Sequence, residues 1–137
     1  MITITSSPNS NTDVPAVLEV AGRLDSHASV ALLNSVQQLL KSEIHEIIMD
    51  FDKLEAVSSE GLAALVQTKS RLRKVDGDLR LANVHGPTLE VLRIVHFDRL
   101  FGLHLNVEDA VQQFAVDRRK ANEWPDRARP DGERNDG

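Results

Sequence analysis

The apolar run from Ile44 to Phe51 constrains the fold of this chain more than any other segment. At its centre, Ile47, Ile48 and Met49 follow one another without polar alternation, which is typical of a strand buried on both faces of a sheet. Segments with leucine and valine at helical spacing precede and follow this run. A strand with a helical segment before and after it is typical of parallel strands joined by right-handed helical crossovers. The sequence therefore predicts an α/β fold.

Shorter segments extend the same pattern along the chain. Strand-like character marks Ile2–Thr5, Ala16–Ala21, Leu79–Ala82 and Leu103–Leu105. Helical spacing marks segments that begin near Ser26, Ser59, Gly86 and Val107, and turn-forming residues fill 6–15 and 22–26. Leu89, Leu92 and Val95 are expected to form the inner face of the third helix. We therefore expect one domain with a mixed, mostly parallel sheet of four to five strands and helices packed against it.

The last part of the chain has a different character. After Val116 the helical periodicity ends, and residues 117–137 contain six basic and six acidic side chains. The sequence therefore predicts a folded domain over residues 1–116 and a charged, disordered tail over residues 117–137. Since the tail is neutral, the net charge of −5 lies on residues 1–116, which argues against a nucleic-acid partner.

Most enzyme signatures are absent from the sequence. There is no cysteine, no glycine-rich phosphate loop and no nucleophile elbow, and the five histidines lack metal-ligand spacing. No apolar stretch is long enough to span a bilayer, and no signal peptide is visible. We expect a cytoplasmic protein that is not an enzyme, uses no cofactor or metal and does not insert directly into a membrane.

Two adjacent serines, Ser58 and Ser59, lie where a helical segment begins. The start of a helix has unpaired backbone N–H groups and a partial positive charge. Such a position accepts a serine oxygen as an N-cap, and it also tolerates a phosphate group. Gly61 either allows a partner backbone to approach or packs the helix against the sheet. Both pairs of interpretations stay open at this point.

Four segments carry a family resemblance. They are Gly22-Arg23-Leu24-Asp25, Ile47-Ile48-Met49-Asp50, Ser58-Ser59-Glu60-Gly61-Leu62 and the segment from Val91 to Phe101. Together they resemble a STAS domain over about residues 1–115, and more narrowly the bacterial anti-sigma-factor antagonists. In that family the loop reads Asp-Ser-Ser/Thr-Gly-Leu, and the serine two positions before the glycine is phosphorylated by a partner kinase that is itself the anti-sigma factor. The resemblance implies Ser59 as the phosphoacceptor, with Ser58 as the alternative.

The resemblance also implies partners and a switch. Unmodified protein would bind the kinase and free the sigma factor, phosphorylation would break the complex, and a phosphatase is a further candidate partner. The implied partner-binding residues are Asp25, Ser58, Glu60, Gly61, Leu62 and Ala64. Two positions depart from the family pattern, because Ser58 replaces the usual aspartate and Glu60 replaces the following serine or threonine. The alternative is a STAS scaffold subunit of a membrane transporter or sensory complex, in which Ser59 only caps the helix.

Overall fold

The computed structural model describes residues 1–6 and 14–123. Its elements in chain order are β1 (Ile2–Ser6), β2 (Ala16–Val20), β3 (Gly22–Leu24), α1 (Ser26–Lys41), β4 (Glu46–Asp50), β5 (Leu54–Val57), α2 (Ser59–Arg73), β6 (Asp78–Ala82), α3 (Gly86–Ile94), α4 (Phe97–Leu100), β7 (Gly102–His104) and α5 (Val107–Glu123). Most of the loop predicted at 6–15 and the end of the predicted tail, residues 124–137, lie outside the described residues.

The main sheet has five strands in the order β1-β2-β4-β6-β7. β1 is antiparallel to β2, and the other neighbours pair in parallel, so the predicted mixed, mostly parallel sheet is confirmed. β4 lies at its centre, and Ile47, Ile48 and Met49 are fully buried, as their apolar run predicts. The sheet therefore forms around the segment that most constrains the sequence.

Alternate residues of β4 belong to two separate apolar clusters. Ile47 and Met49 pack in the larger cluster, which includes Leu32 of α1, Leu65 of α2 and Leu92 of α3. Ile48 packs in a smaller cluster with Ala110 and Phe114 of α5. Because successive side chains of a strand point to opposite faces, α1, α2 and α3 cover one face of the sheet and α5 covers the other.

Two short strands were not predicted. Residues 22–26 were expected to form a turn, and Gly22 does adopt a left-handed φ of 79°. Beyond it, however, Arg23 and Leu24 pair in parallel with Ala56 and Val57, so β3 and β5 form a second, two-stranded sheet. Each strand is too short to show periodicity in the sequence, and pairing across the fold stabilises both. As a result α2 follows β5, and not the long central strand.

The inner face of α3 differs from the prediction. Leu92 is fully buried as expected, but Val95 is 38% exposed and Thr88 is buried instead. The reason is that α3 ends at Ile94, and the chain then turns at His96, whose φ is 63°. Val95 therefore lies outside the helical register that the sequence suggested.

α5 continues past the domain boundary predicted at Val116. Its C-terminal part is held by charged side chains: Asp117 binds Arg80, and Arg118 Nη1 lies 3.3 Å from Glu46 Oε1. The helix runs on to Glu123. Because Arg80 and Glu46 belong to the sheet, the start of the predicted tail belongs to the folded domain.

Candidate functional site

The parallel pair β3 and β5 places the starts of α1 and α2 next to each other. Asp25 is the N-cap of α1, and its side chain accepts a hydrogen bond of 2.9 Å from the Ala28 amide. Ser58 is the N-cap of α2, and its Oγ accepts a hydrogen bond of 3.1 Å from the Gly61 amide. The Ala28 hydrogen bond also holds the pKa of the Asp25 carboxyl below its ordinary value. Two helix starts, both with oxygen caps, therefore meet at one surface.

The two serines have different surroundings. Ser58 is half-buried, and its backbone N–H and its Oγ–H both donate to the Leu24 carbonyl oxygen, at 3.0 and 3.1 Å. With the bond from the Gly61 amide, the Ser58 hydroxyl is used both as donor and as acceptor. Ser59 is the first residue of α2, and its side chain is exposed. Within residues 1–6 and 14–123 its hydroxyl makes no hydrogen bond, so the cap function falls to Ser58.

Gly61 lies where α2 packs closely against the small sheet. A Cβ atom built on Gly61 would lie 2.4 Å from the Leu24 carbonyl oxygen and 2.8 Å from Val57 Cγ2. Gly61 is buried, so of the two interpretations left open by the sequence the structure supports packing of the helix. A side chain at this position would push the first turn of α2 away from β3.

The surface around Ser59 includes only part of the predicted partner-binding set. Asp25 and Glu60 are exposed, and Leu62 is half-buried. Ala64 is 1% exposed and, like Gly61, faces the interior, so neither residue is available to a docked partner. The inner face of α2 consists of small as well as large residues, and this explains the error. Its buried members are Gly61, Ala64, Leu65, Thr68 and Leu72.

An open depression of about 290 Å³ lies beside Ser58, at the start of α2. It is lined by Arg23, Leu24, Asp25, Ala56, Val57 and Ser58. Asp25 at the start of α1, Glu55 in β5 and Glu60 in the first turn of α2 are exposed. A partner that packed over both Ser59 and this depression would meet the carboxylates of Asp25 and Glu60 and the exposed side chain of Arg23.

The difference between the two serines leads to a first prediction. Ser58→Ala removes the N-cap and leaves the Gly61 amide without its acceptor, so we expect the free energy of unfolding to fall by about 1–2 kcal/mol. Ser59→Ala, the matched control one residue away, removes an exposed hydroxyl and should change it by less than about 0.5 kcal/mol. Urea unfolding of both variants measures the two values. Equal losses, or a larger loss in Ser59→Ala, would contradict the assignment of the cap.

In the part of the chain that the structure describes, no group of three His, Cys, Asp or Glu side chains is placed to hold a metal ion. None of the helices described is both long and apolar enough to cross a bilayer.

Comparisons with known proteins point to one family. A sequence model of the STAS domain matches residues 7–110, while no curated protein sequence matches the chain. An anti-sigma factor antagonist from Mycobacterium paratuberculosis superposes with a TM-score of 0.70 at 22% identity, covering 84% of this chain and 95% of that one. The Bacillus cell fate determinant SpoIIAA, in its phosphorylated form, gives 0.64 at 18% identity, with 82% and 98% covered. A sulfate transporter family protein from Wolinella succinogenes gives 0.66 at 15% identity, with 82% and 90% covered.

Proposed function

The chain belongs to the STAS domain family, and on that premise we propose that it is an anti-sigma-factor antagonist. In this proposal it is a non-enzymatic, cytoplasmic binding module that regulates transcription. Its partner is an anti-sigma factor that is also a serine kinase, and phosphorylation of Ser59 ends the interaction. A phosphatase that removes the phosphate would return the protein to its binding state.

The main support for this proposal is that Ser58 and Ser59 have different roles at the start of α2. Ser58 caps α2 and holds the Leu24 carbonyl, whereas the Ser59 hydroxyl is exposed at the first position of the helix. A kinase can therefore reach Ser59 without disturbing the cap. A phosphate there would lie at the positive end of the α2 dipole, so the domain should stay folded when it is modified.

Charge and desolvation together explain how one phosphate would release the partner. The group adds about −1.5 to −2 charges at neutral pH. It would stand beside Glu60 in the first turn of α2, and Asp25 at the start of α1 and Glu55 in β5 are exposed as well. A partner packed over this surface would have to desolvate the phosphate next to those carboxylates. Since each loss of about 1.4 kcal/mol weakens binding tenfold, a few such units are enough to switch off a complex of moderate affinity.

The two departures from the family pattern are compatible with this mechanism. Ser58, in place of the usual aspartate, still provides the oxygen that caps α2. Glu60, in place of serine or threonine, is exposed in the first turn of the helix, where a negative side chain is favourable. In the family the carboxylate precedes the phosphoacceptor serine, whereas here Glu60 follows Ser59. We therefore expect a kinase whose recognition surface accommodates Glu60.

A second candidate function is a scaffold subunit of a membrane transporter. The fold similarity to the Wolinella succinogenes sulfate transporter family protein favours it, and in that role Ser59 would stay unmodified. The two functions differ in whether any serine kinase acts on the protein. In the scaffold role the exposed hydroxyl would have no function.

Phosphorylation by a kinase from the same genome tests the proposal. The protein is incubated with ATP and each candidate serine kinase, and intact mass is measured for wild type, Ser59→Ala and Ser58→Ala. We expect a gain of one phosphate in wild type and in Ser58→Ala, and no gain in Ser59→Ala. No gain with any kinase would favour the scaffold function. A phosphate gain that persists in Ser59→Ala would mean that another residue is the phosphoacceptor.

A further inference from the structure

In the part of the chain that the structure describes, the outer edge of β1 is unpaired. β1 is an edge strand of the main sheet, and within residues 1–6 and 14–123 no strand pairs with its outer side. The Met1 nitrogen donates to the Ala21 carbonyl oxygen at 2.7 Å, and the Ala21 amide donates to the Met1 carbonyl oxygen at 2.9 Å. Because hydrogen-bonded and non-hydrogen-bonded pairs alternate along an antiparallel ladder, Thr3 also points its amide and carbonyl groups towards β2. The corresponding groups of Ile2 and Ile4 therefore point outward.

This edge has neither a charged residue nor a proline to prevent association, although a bulge limits its regular pairing to residues 2–4. Natural edge strands are protected by charged residues, proline, bulges or very short length. β1 contains Ile2, Thr3, Ile4, Thr5 and Ser6, without a charge or a proline. Its one irregularity is the register shift between Ile4 and Ser6, which leaves residues 2–4 in regular pairing. The opposite edge strand, β7, has only three residues.

The side chains on this edge are apolar on one face. Ile2 lies opposite Val20 and Ile4 lies opposite Leu18, and both partners are fully buried in the larger cluster. Ile4 itself is 37% exposed, although it lies on the same face of the sheet as these core residues. The large apolar cluster thus reaches the sheet edge and is incompletely covered there.

We propose that the edge of β1 pairs with the same edge of a second copy of this chain. The two strands would run antiparallel about a two-fold axis at Thr3, so that Ile2 of each copy lies opposite Ile4 of the other. Each of these two pairs would exchange two backbone hydrogen bonds, using the groups that point outward. Two five-stranded sheets would become one continuous sheet.

The sequence of β1 indicates that the strand paired with it is β1 of a second copy. With Thr3 on the axis, isoleucine lies opposite isoleucine on the helix-covered face, and threonine lies opposite threonine on the other face. Both kinds of pair are favourable across strands, and no charge on β1 opposes them. A closed two-fold contact of this kind uses the same patch on both copies, as is usual for homodimers.

Sedimentation equilibrium at increasing protein concentration tests the pairing with three variants. Thr3→Lys would put two ammonium groups opposite each other on the axis, while within one copy the new side chain lies opposite Glu19 and the monomer should stay folded. Thr3→Val keeps an uncharged, strand-forming residue at the same place. Leu105→Lys changes an apolar residue that is 86% exposed just beyond β7.

We expect wild type, Thr3→Val and Leu105→Lys to dimerise with similar dissociation constants, and Thr3→Lys to raise the constant at least tenfold with an unchanged circular dichroism spectrum. A wild-type protein that stays monomeric up to about 1 mM would overturn the proposal. A dimer that persists in Thr3→Lys would also overturn it, and so would a dimer that is lost in Leu105→Lys. Either result would mean that the contact lies on another surface. If Thr3→Lys unfolds, Ile4→Thr serves in its place, because it removes apolar contact without adding charge and should also weaken the dimer.

Discussion

Gly61→Ala is expected to lower the free energy of unfolding by about 2–3 kcal/mol, because the added methyl group would enter the contact between α2 and β3. In an unconstrained helix the same change would be stabilising by about 1 kcal/mol, since alanine is the better helix former. Here the clash outweighs that gain. The Leu24 carbonyl oxygen, 2.4 Å from the added carbon, accepts two hydrogen bonds from Ser58 and cannot move away without losing them.

Urea unfolding of Gly61→Ala and of a control in the same helix measures this effect. Ser70→Ala is the control, because Ser70 is exposed and lies in the second half of α2. It should leave the stability unchanged or raise it by a few tenths of a kcal/mol. If Gly61→Ala proves as stable as wild type, the close approach of α2 to β3 is incorrect. The alternative interpretation, in which Gly61 allows the backbone of a partner to approach, would then be favoured.

Ser59→Asp should weaken binding of the kinase partner at least tenfold while leaving the domain as stable as wild type. The carboxylate brings one negative charge to the position where the phosphate would stand, beside Glu60. At the first position of a helix the same charge is favourable by about 0.3–1 kcal/mol, so the thermal midpoint should stay the same or rise slightly. Loss of binding with retained stability is what a surface switch requires.

The matched control for this variant is Ser59→Asn, which has almost the same shape as Ser59→Asp without the charge. Calorimetric titration of the partner with both variants separates charge from size. If charge causes the effect, the asparagine variant should bind within about threefold of wild type, a difference of roughly 0.6 kcal/mol. Equal weakening by both variants would mean that the surface around Ser59 tolerates no larger side chain. Unfolding of Ser59→Asp would mean that the position is structural.

The main sheet was predictable because its strands carry their own signals. The run from Ile44 to Phe51 is long enough to identify a buried strand, and helices with regular apolar spacing flank it. β3 and β5 were missed because three or four residues show no period, and each strand is stabilised by the other across the fold. The consequence concerns the site directly, since this pair brings Leu24 next to Ser58.

The distinction between the two serines could not be made from the sequence. Both stand at a helix start, and the carbonyl that engages Ser58 belongs to Leu24, 34 residues earlier. Likewise Ala64 was placed on the docking surface because alanine carries no strong signal of burial. In the structure it follows Gly61 by one helical turn on the inner face of α2. Ser59 as the acceptor, by contrast, comes from the family resemblance, which is anchored at Gly61 and Leu62.

The most direct test of the account compares the affinity of the kinase partner for two forms of the wild-type protein: unmodified protein, and protein carrying one phosphate mapped to Ser59. Calorimetric titration is done for both, with circular dichroism as the check on folding. We predict that the phosphorylated form keeps its fold and binds at least tenfold more weakly. Equal or tighter binding by a folded phosphorylated form would contradict it.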